Sequence, residues 1–343
     1  MRDTRPHMLV IDGSSLLTTC FYATLPPEIR DARTDEEKAE CYKSVLQTSD
    51  GIYTNGILGF VRYLTNYIRE CHPAYVVTAF DKSRDTFRRK LYSDYKAQRG
   101  ATPVSLKPQF MLMEQILSES NIPVFLSDSF EADDLAGSIG EKYRQKFQVS
   151  YLTKDRDYLQ LVHDDTNTKC FIMSDYKKAK EFREQHGYLE PEEHSLRNLM
   201  IFDESAVYGE KGVLPKNIVD LKAIDGDASD NIPGVKGVSA TTAVPLINQY
   251  GNVDAIYDEI NKIKEDSKQQ KQLAAIWKES LGISRSPLKA LYAGEDSARL
   301  SKELATIKTT LPIPDLDDFS VSNINREVFN HWMERLQIQN IRM

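Results

Sequence analysis

Ten acidic residues stand where chemistry is easiest to build. Asp12 closes the apolar run 7–11, Asp81 closes 75–80, and Asp155 and Asp157 follow 149–152 in Leu-Thr-Lys-Asp-Arg-Asp. Phe-Glu-Ala-Asp-Asp places Glu131, Asp133 and Asp134 within one helical turn, and Ile-Asp-Gly-Asp-Ala-Ser-Asp-Asn carries Asp225, Asp227 and Asp230. Carboxylates brought close together repel one another unless cations neutralise them, and an all-oxygen donor set favours Mg²⁺ or Mn²⁺ over zinc. Two such ions side by side can ionise an attacking water and stabilise the leaving oxygen of a phosphodiester. Taken alone, the acidic turn at 131–134 is only what a helix dipole favours at its N-terminus. Its place between two strands that each end in aspartate points further.

The elements that must position these groups follow from the hydrophobic pattern. In the N-terminal half, short apolar runs alternate with amphipathic stretches, which predicts strands joined by helical crossovers in a mostly parallel sheet. The clearest strands are 7–11, 75–80 and 149–152. Leu135, Ile139 and Tyr143 recur at helical spacing within 130–147. Ligands of open α/β sheets bind outside the carboxyl ends of the strands, so three strand-ending aspartates are expected to converge there. From 214 onward the pattern turns helical, with a glycine interruption at 234–237 and a further helix over 239–250. Residues 26–43 and 175–193 are charge-rich without a clear period and read as solvated insertions. Residues 311–343 open with Pro312 and Pro314 and carry Asp315, Asp317 and Asp318, which predicts an extended start.

Composition bounds the rest. The 343 residues are 41% hydrophobic and 28% charged, as in ordinary globular proteins, and suffice for one large domain or two smaller ones. With no apolar run near membrane-spanning length and no leader-like N-terminus, a cytoplasmic protein is expected. Cys20, Cys41, Cys71 and Cys170 form no metal-like spacing with the histidines and read as reduced packing thiols. The net charge of −7 argues against nucleic acid as a partner, but residues 82–107 hold eight basic and two acidic residues, a local net of +6. Gly-Val-Lys-Gly at 234–237, just before a helix, can bring backbone N–H groups close to DNA phosphates.

Val10-Ile11-Asp12-Gly13, Phe80-Asp81, Phe87-Arg88-Arg89, Tyr95-Lys96-Ala97-Gln98-Arg99, Glu131-Ala132-Asp133-Asp134, Leu152 to Asp157 and Gly226 to Gly237 follow one another in the order of a known family. Across 8–250 the chain resembles the 5′ nucleases, which include flap endonucleases and the N-terminal exonuclease domain of bacterial DNA polymerase I. A weaker similarity runs on through 304–309, and with no polymerase portion following, it resembles a stand-alone form. The resemblance implies an α/β fold: a PIN-like nuclease core over 1–213 with a mostly parallel sheet flanked by helices and a helical arch near 82–118. A helix-hairpin-helix-like (H3TH) duplex-binding subdomain over 214–300 and a C-terminal tail over 301–343 would complete it.

It also implies a Mg²⁺- or Mn²⁺-dependent 5′-3′ exonuclease and flap endonuclease, acting as a monomer on DNA with 5′ ends or flaps and on RNA–DNA hybrids. Asp12, Asp81, Glu131 and Asp133 match one metal site, with Asp134 a neighbour or outer ligand. Asp155, Asp157 and Asp227 match a second, with Asp230 acting through water. Lys96 and Arg99 match the basic pair facing the scissile phosphate, and Arg88 is expected on the same strand. Arg89, Gly234, Val235, Lys236, Gly237 and Ser239 match DNA-contacting positions, with K⁺ at the turn. Tyr95 either stacks on a base or packs internally. Ser239 stands where glycine is usual and Thr241 where lysine is common, and Pro245 interrupts the helix that follows. Weaker duplex affinity is expected from these three. A DNA-binding relative without activity and a PIN-class RNA nuclease are the competing readings. The filled carboxylate motifs speak against the first, and the 226–237 element and basic segment against the second.

Overall fold

The computed structural model describes residues 3–316 and 320–343, so Asp317 and Asp318 lie outside the described residues. Strands β1 (His7–Asp12), β2 (Tyr75–Asp81) and β4 (Gln148–Thr153) are buried along nearly their whole length. Such continuous apolar runs are what a parallel sheet covered on both faces requires. With β3 (Val124–Ser127), β5 (Lys169–Met173) and β6 (Leu199–Phe202) they form one sheet in the order β3-β2-β1-β4-β5-β6. The expectation of a mostly parallel sheet holds, with β6 alone antiparallel to its neighbour β5.

Alternation along β1 separates the two core layers. Met8 and Val10 join the layer that includes the helix Ala132–Tyr143. Leu9 and Ile11 join the opposite layer with the helices Gly13–Ala23, Asn55–Cys71, Lys107–Glu119 and Arg326–Arg335. Gly13 is forced by this packing, since a Cβ there would fall 2.3 Å from the Phe80 ring. After β6 come the helices Ile218–Asp225, Ala240–Tyr250, Val253–Asn261, Ser267–Leu281, Leu288–Ala293 and Glu295–Ala305, whose apolar faces continue the first layer.

Three segments differ from the sequence reading. Residues 26–43 contain two short helices, Pro27–Asp31 and Asp35–Tyr42, and Thr34 with Glu37 forms a capping box at the start of the second. In 175–193, the helix Tyr176–His186 turns Ala179, Phe182 and Arg183 inward, with the Phe182 ring 4.6 Å from that of Phe202. One face of this stretch is core. The segment 82–118 is helical only at Phe87–Leu91 and from Lys107 on, with turns between.

Residues 301–316 work as a strap. Residues 301–305 end the helix Glu295–Ala305, and the chain then runs extended along Ala132–Tyr143. Ser138 Oγ donates to the Lys308 carbonyl at 3.0 Å, and the Leu316 amide donates to Tyr143 Oη at 3.0 Å. Extension here serves packing, because the prolines remove donors while neighbouring amides and carbonyls are satisfied by the helix. The helix Arg326–Arg335 then buries Phe329, Trp332 and Met333 against the other face of the sheet, and Trp332 Nε1 donates to Glu119 at 2.8 Å. Phe329→Ala should therefore cost about 3–5 kcal/mol of folding stability by leaving a cavity, measurable by urea unfolding. A cost below about 1 kcal/mol would contradict this helix's place in the core.

Candidate functional site

Parallel register places the strand ends side by side. Asp12 pairs level with Ala79, two residues before Asp81, and Ile11 is level with Leu152, three residues before Asp155. The Asp12 carboxylate accepts from the Ser15 amide at 2.9 Å and from Thr153 Oγ1 at 2.8 Å, so β1, the helix it caps and β4 all fix it. Asp81 accepts from the Ala132 amide at 2.9 Å, tying β2 to the acidic helix start. Asp155 accepts from the Asp157 amide at 2.8 Å.

These residues open into one cavity of about 750 Å³, lined by Asp12, Asp81, Glu131, Asp133, Asp155, Asp157, Asp225, Asp227 and Asp230. Lys96, Arg99, Lys154, Arg156, Lys211 and Lys222 line it as well. The cations lie between the carboxylates. Lys96 Nζ is 2.6 Å from Glu131 Oε2 and 3.6 Å from Asp230, while Arg99 Nη2 donates to Asp230 at 2.6 Å. Lys222 bridges Asp157 and Asp227, 2.6 Å from the latter. Among the described residues no three carboxylates stand close enough together to hold an ion as they are. Ammonium groups stand between several of them.

The balance of charge is uneven. Lys222 overcomes burial to hold Asp227 down at about 2, yet the same ammonium leaves Asp157 up at about 7 through burial and the neighbouring Asp155. One lysine cannot neutralise two carboxylates. Burial and Asp81 raise Asp12 to about 6, and burial with Asp134 and Glu131 raises Asp133 despite Arg88. Burial also raises Asp155. Glu131 goes the other way, since Lys96 and Arg88 outweigh its burial.

Several sequence-derived roles change. Asp134 is fully buried, and its two oxygens accept from both Arg88 Nη atoms at 2.7 and 2.8 Å and from the Glu131 and Lys308 amides. With every lone-pair direction used and no face on the cavity, it is a structural anion. Arg88, only 1% exposed, donates as well to the Leu304 and Thr306 carbonyls, so it ties the helix start to the C-terminal strap and does not reach a substrate strand. Tyr95 is buried with its hydroxyl toward Glu131 and Asp230 at 3.3 and 3.4 Å, which selects packing over base stacking. Arg89 is half-buried beside Arg88.

The 226–237 turn is built by close backbone approach. Gly226 and Gly234 have φ of 80° and 61°, and a Cβ on Gly234 would fall 2.4 Å from the Gly226 nitrogen. The amides of Gly234 and Val235 are used internally, on Ser301 Oγ at 2.9 Å and the Ile224 carbonyl at 2.7 Å, and the Val235 side chain is buried. Neither can hold a phosphate. Lys236, Gly237 and Ser239 are exposed, and among the described residues no internal acceptor meets their amides. Asp225 caps the following helix through the Ala240 amide at 2.9 Å, and Pro245 sits inside that helix. Sequence reasoning missed Lys222, Lys154, Arg156 and Lys211. For Lys154, Arg156 and Lys222 the signal was present, as cations among or just before the acidic motifs, whereas Lys211 stands fourteen residues before Asp225 and carried none.

The pH dependence follows from the raised carboxyls. Asp12 and Asp157 bind protons more tightly folded than unfolded, where an aspartate titrates near about 3.9. Their contribution to stability is full below about pH 4 and lost as pH rises through about 6 to 7. In chelator, the stability of Asp12→Asn relative to wild type should thus rise by about 2–3 kcal/mol between pH 4 and pH 8, as measured by denaturant unfolding. A pH-independent difference would contradict the burial of that charge.

Comparison with known proteins agrees in extent. The model of the 5′-3′ exonuclease N-terminal resolvase-like domain matches residues 7–187, and that of the 5′-3′ exonuclease C-terminal SAM fold matches 213–327. The 5′-3′ exonuclease of Aquifex aeolicus is 33% identical over 311 residues, 90% of this chain and 88% of that protein. The 5′-3′ exonuclease of Bacillus subtilis is 31% identical over 254 residues, 74% of each. DNA polymerase I of Bacillus caldotenax is 31% identical over 94% of this chain but only 30% of the polymerase. Among solved structures, T5 5′-exonuclease with bound zinc superposes with a TM-score of 0.57 at 18% identity, covering 96% of this chain and 98% of that one, a likeness of fold.

Proposed function

Because the chain belongs to the 5′-3′ exonuclease family, we propose that it is a structure-specific 5′ nuclease. It hydrolyses phosphodiester bonds of DNA at or near 5′ ends and flaps, and the RNA of hybrids, leaving 5′-phosphates. The observation that carries this reading is the cavity at the carboxyl edge of the sheet, where carboxylates from β1, β2, β4, the 131–133 helix start and the 227–230 turn face the Lys96 and Arg99 pair. The carboxylates fit hard divalent cations, Mg²⁺ or Mn²⁺: the donors are all oxygen, and four of the groups are held protonation-prone by burial and one another, a cost that a bound cation relieves.

Asp12, Asp81, Glu131 and Asp133 would hold one ion, and Asp155, Asp157 and Asp227 a second, with Asp230 acting through water. Bound there, the ions would supply Lewis-acid stabilisation of the phosphate and a more acidic attacking water. Lys96 and Arg99 then exchange carboxylate partners for the scissile phosphate and stabilise its developing charge. Lys222 gives up its bridge between Asp157 and Asp227 in the same exchange. The free amides at 236, 237 and 239 hold the duplex backbone, with the helix Ala240–Tyr250 directing its dipole at the phosphates. Lys236 adds a point charge, and K⁺ at this turn and action as a monomer complete the reading. T5 flap endonuclease, crystallised with DNA and metal ions, shares the fold and lends support.

Purified protein should cut a 5′-flap duplex in Mg²⁺ and stop in chelator, and Asp155→Ala should cut at least about a hundredfold slower while still binding the duplex. Folded wild-type protein that leaves the flap intact would sink the proposal. Arg88 and Arg99 should separate cleanly. Arg99→Ala should lower the single-turnover rate about 10²- to 10³-fold with its unfolding midpoint unchanged. Arg88→Ala should instead cost about 3–5 kcal/mol of stability by stranding the buried Asp134 carboxylate. A stable Arg88→Ala protein would contradict the structural role given to that pair.

A further inference from the structure

Lys96 holds a left-handed backbone, with φ of 52°, in a residue type that rarely adopts it. Something must hold it there. Residues 94–99 form a tight turn, with the Ala97 amide donating to Asp94 O at 3.1 Å and the Arg99 amide to Lys96 O at 3.2 Å. This turn lies against a second one, closed by the reciprocal 2.9 Å bonds between Asp227 and Ile232. Besides the bonds from Arg99 and Tyr95 to the Asp230 carboxylate, four hydrogen bonds to backbone carbonyls join the two. The Lys96 amide donates to Asp230 O at 2.9 Å, and Asn231 Nδ2 donates to Asp94 O at 2.8 Å. Gln98 Nε2 uses both its hydrogens, on Ala228 O at 3.0 Å and Ser229 O at 3.1 Å. Asn231 itself is left-handed, with φ of 59°, which suits asparagine. Neither carboxamide lines the acidic cavity.

We infer that Gln98 and Asn231 are positioning residues, a latch that sets Lys96 and Arg99 over the carboxylates from the same turn that holds the duplex. The inference rests on the nuclease reading above and adds to it how the duplex grip and the cutting centre are kept in register. The turn at 226–232 runs within a few residues into the exposed amides of 236, 237 and 239. Its far side is fixed by the Val235 amide on Ile224 O and by Asp225 on the Ala240 amide. A duplex seated on those amides therefore steadies the turn against which Lys96 is latched. The side chains of Gln98 and Asn231 are exposed, so their loss leaves the core intact.

The test uses the full chain, a 5′-flap duplex, and Gln98→Ala and Asn231→Gly, the latter keeping a left-handed backbone available. Each variant should cut about fivefold more slowly in single turnover, as expected for lost neutral hydrogen bonds. Duplex affinity in chelator should stay within about twofold of wild type, and unfolding midpoints should not move. Introduced into a chain carrying both Lys96→Ala and Arg99→Ala, the same substitutions should produce no further slowing, because both groups they position are gone. Equal slowing in that background, loss confined to affinity, or wild-type rates in both variants would each overturn the latch. A wild-type protein that cuts nothing overturns the nuclease reading and the latch with it. A wild type that cuts, with variants matching it, overturns the latch alone.

Discussion

Like charge crowded at one edge of a sheet is the constraint on which this structure turns. The parallel strands deliver Asp12, Asp81 and Asp155 to one place, and the helix start and the 226–237 turn add more. Nine carboxylates and six basic side chains share the cavity, so full ionisation without a further cation would leave a negative excess in a partly buried space. The fold meets part of this from within. Lys96 and Lys222 each sit between two carboxylates, and Arg99 holds Asp230. These pairs share their protons and charges unevenly, which is why Asp227 is held low while Asp157 is left high.

Beneath that cavity lies a charge pair of a different kind. Arg88 and Asp134 face each other in a bidentate pair sealed from water, and their remaining polar atoms meet backbone groups of residues 131, 304, 306 and 308. A buried pair contributes little net stability over an apolar one, but removing either partner strands the other. Its value here is geometric. It fixes the start of the helix Ala132–Tyr143, and with it Glu131 and Asp133, against the strap that follows the helix Glu295–Ala305.

Much of this was legible in the sequence. A residue at a strand end needs only the strand to be found, and the short, mostly apolar runs 7–11, 75–80 and 149–152 each lead into an aspartate, so the convergence could be reasoned out. Direction was harder. Asp133 and Asp134 are adjacent and alike in type, but about 100° of helical rotation sends one to the cavity and the other to the core. Only the partner decides this, and Arg88 lies 46 residues away. Arg88 and Arg99 were similarly alike on paper, two arginines in one basic segment. Tyr95 and Val235 were motif residues that serve by packing. The helix at Tyr176–His186 and the capping box at Thr34 were visible as patterns but masked by dense charge. The strands Val124–Ser127, Lys169–Met173 and Leu199–Phe202 are short or partly polar, and tertiary pairing establishes them.

The glycines of the 226–237 turn hold the charge-bearing Asp227 and Asp230 and the exposed amides of 236, 237 and 239 in one compact unit. Gly226 and Gly234 touch through their backbones, at a spacing no Cβ would permit, with Asp227 and Asp230 between them in the chain and the exposed amides of 236, 237 and 239 just beyond. The separation between those amides and the carboxylates is then set by covalent geometry over about ten residues. Ser239, Thr241 and Pro245 come after Gly237, at the cap and within the helix Ala240–Tyr250, and leave the carboxylates where the sheet and the turn have put them. On the function proposed above, affinity for duplex and the geometry of the cavity are separable in this chain, because the exposed amides and the carboxylates belong to different stretches of the turn, joined at the two glycines.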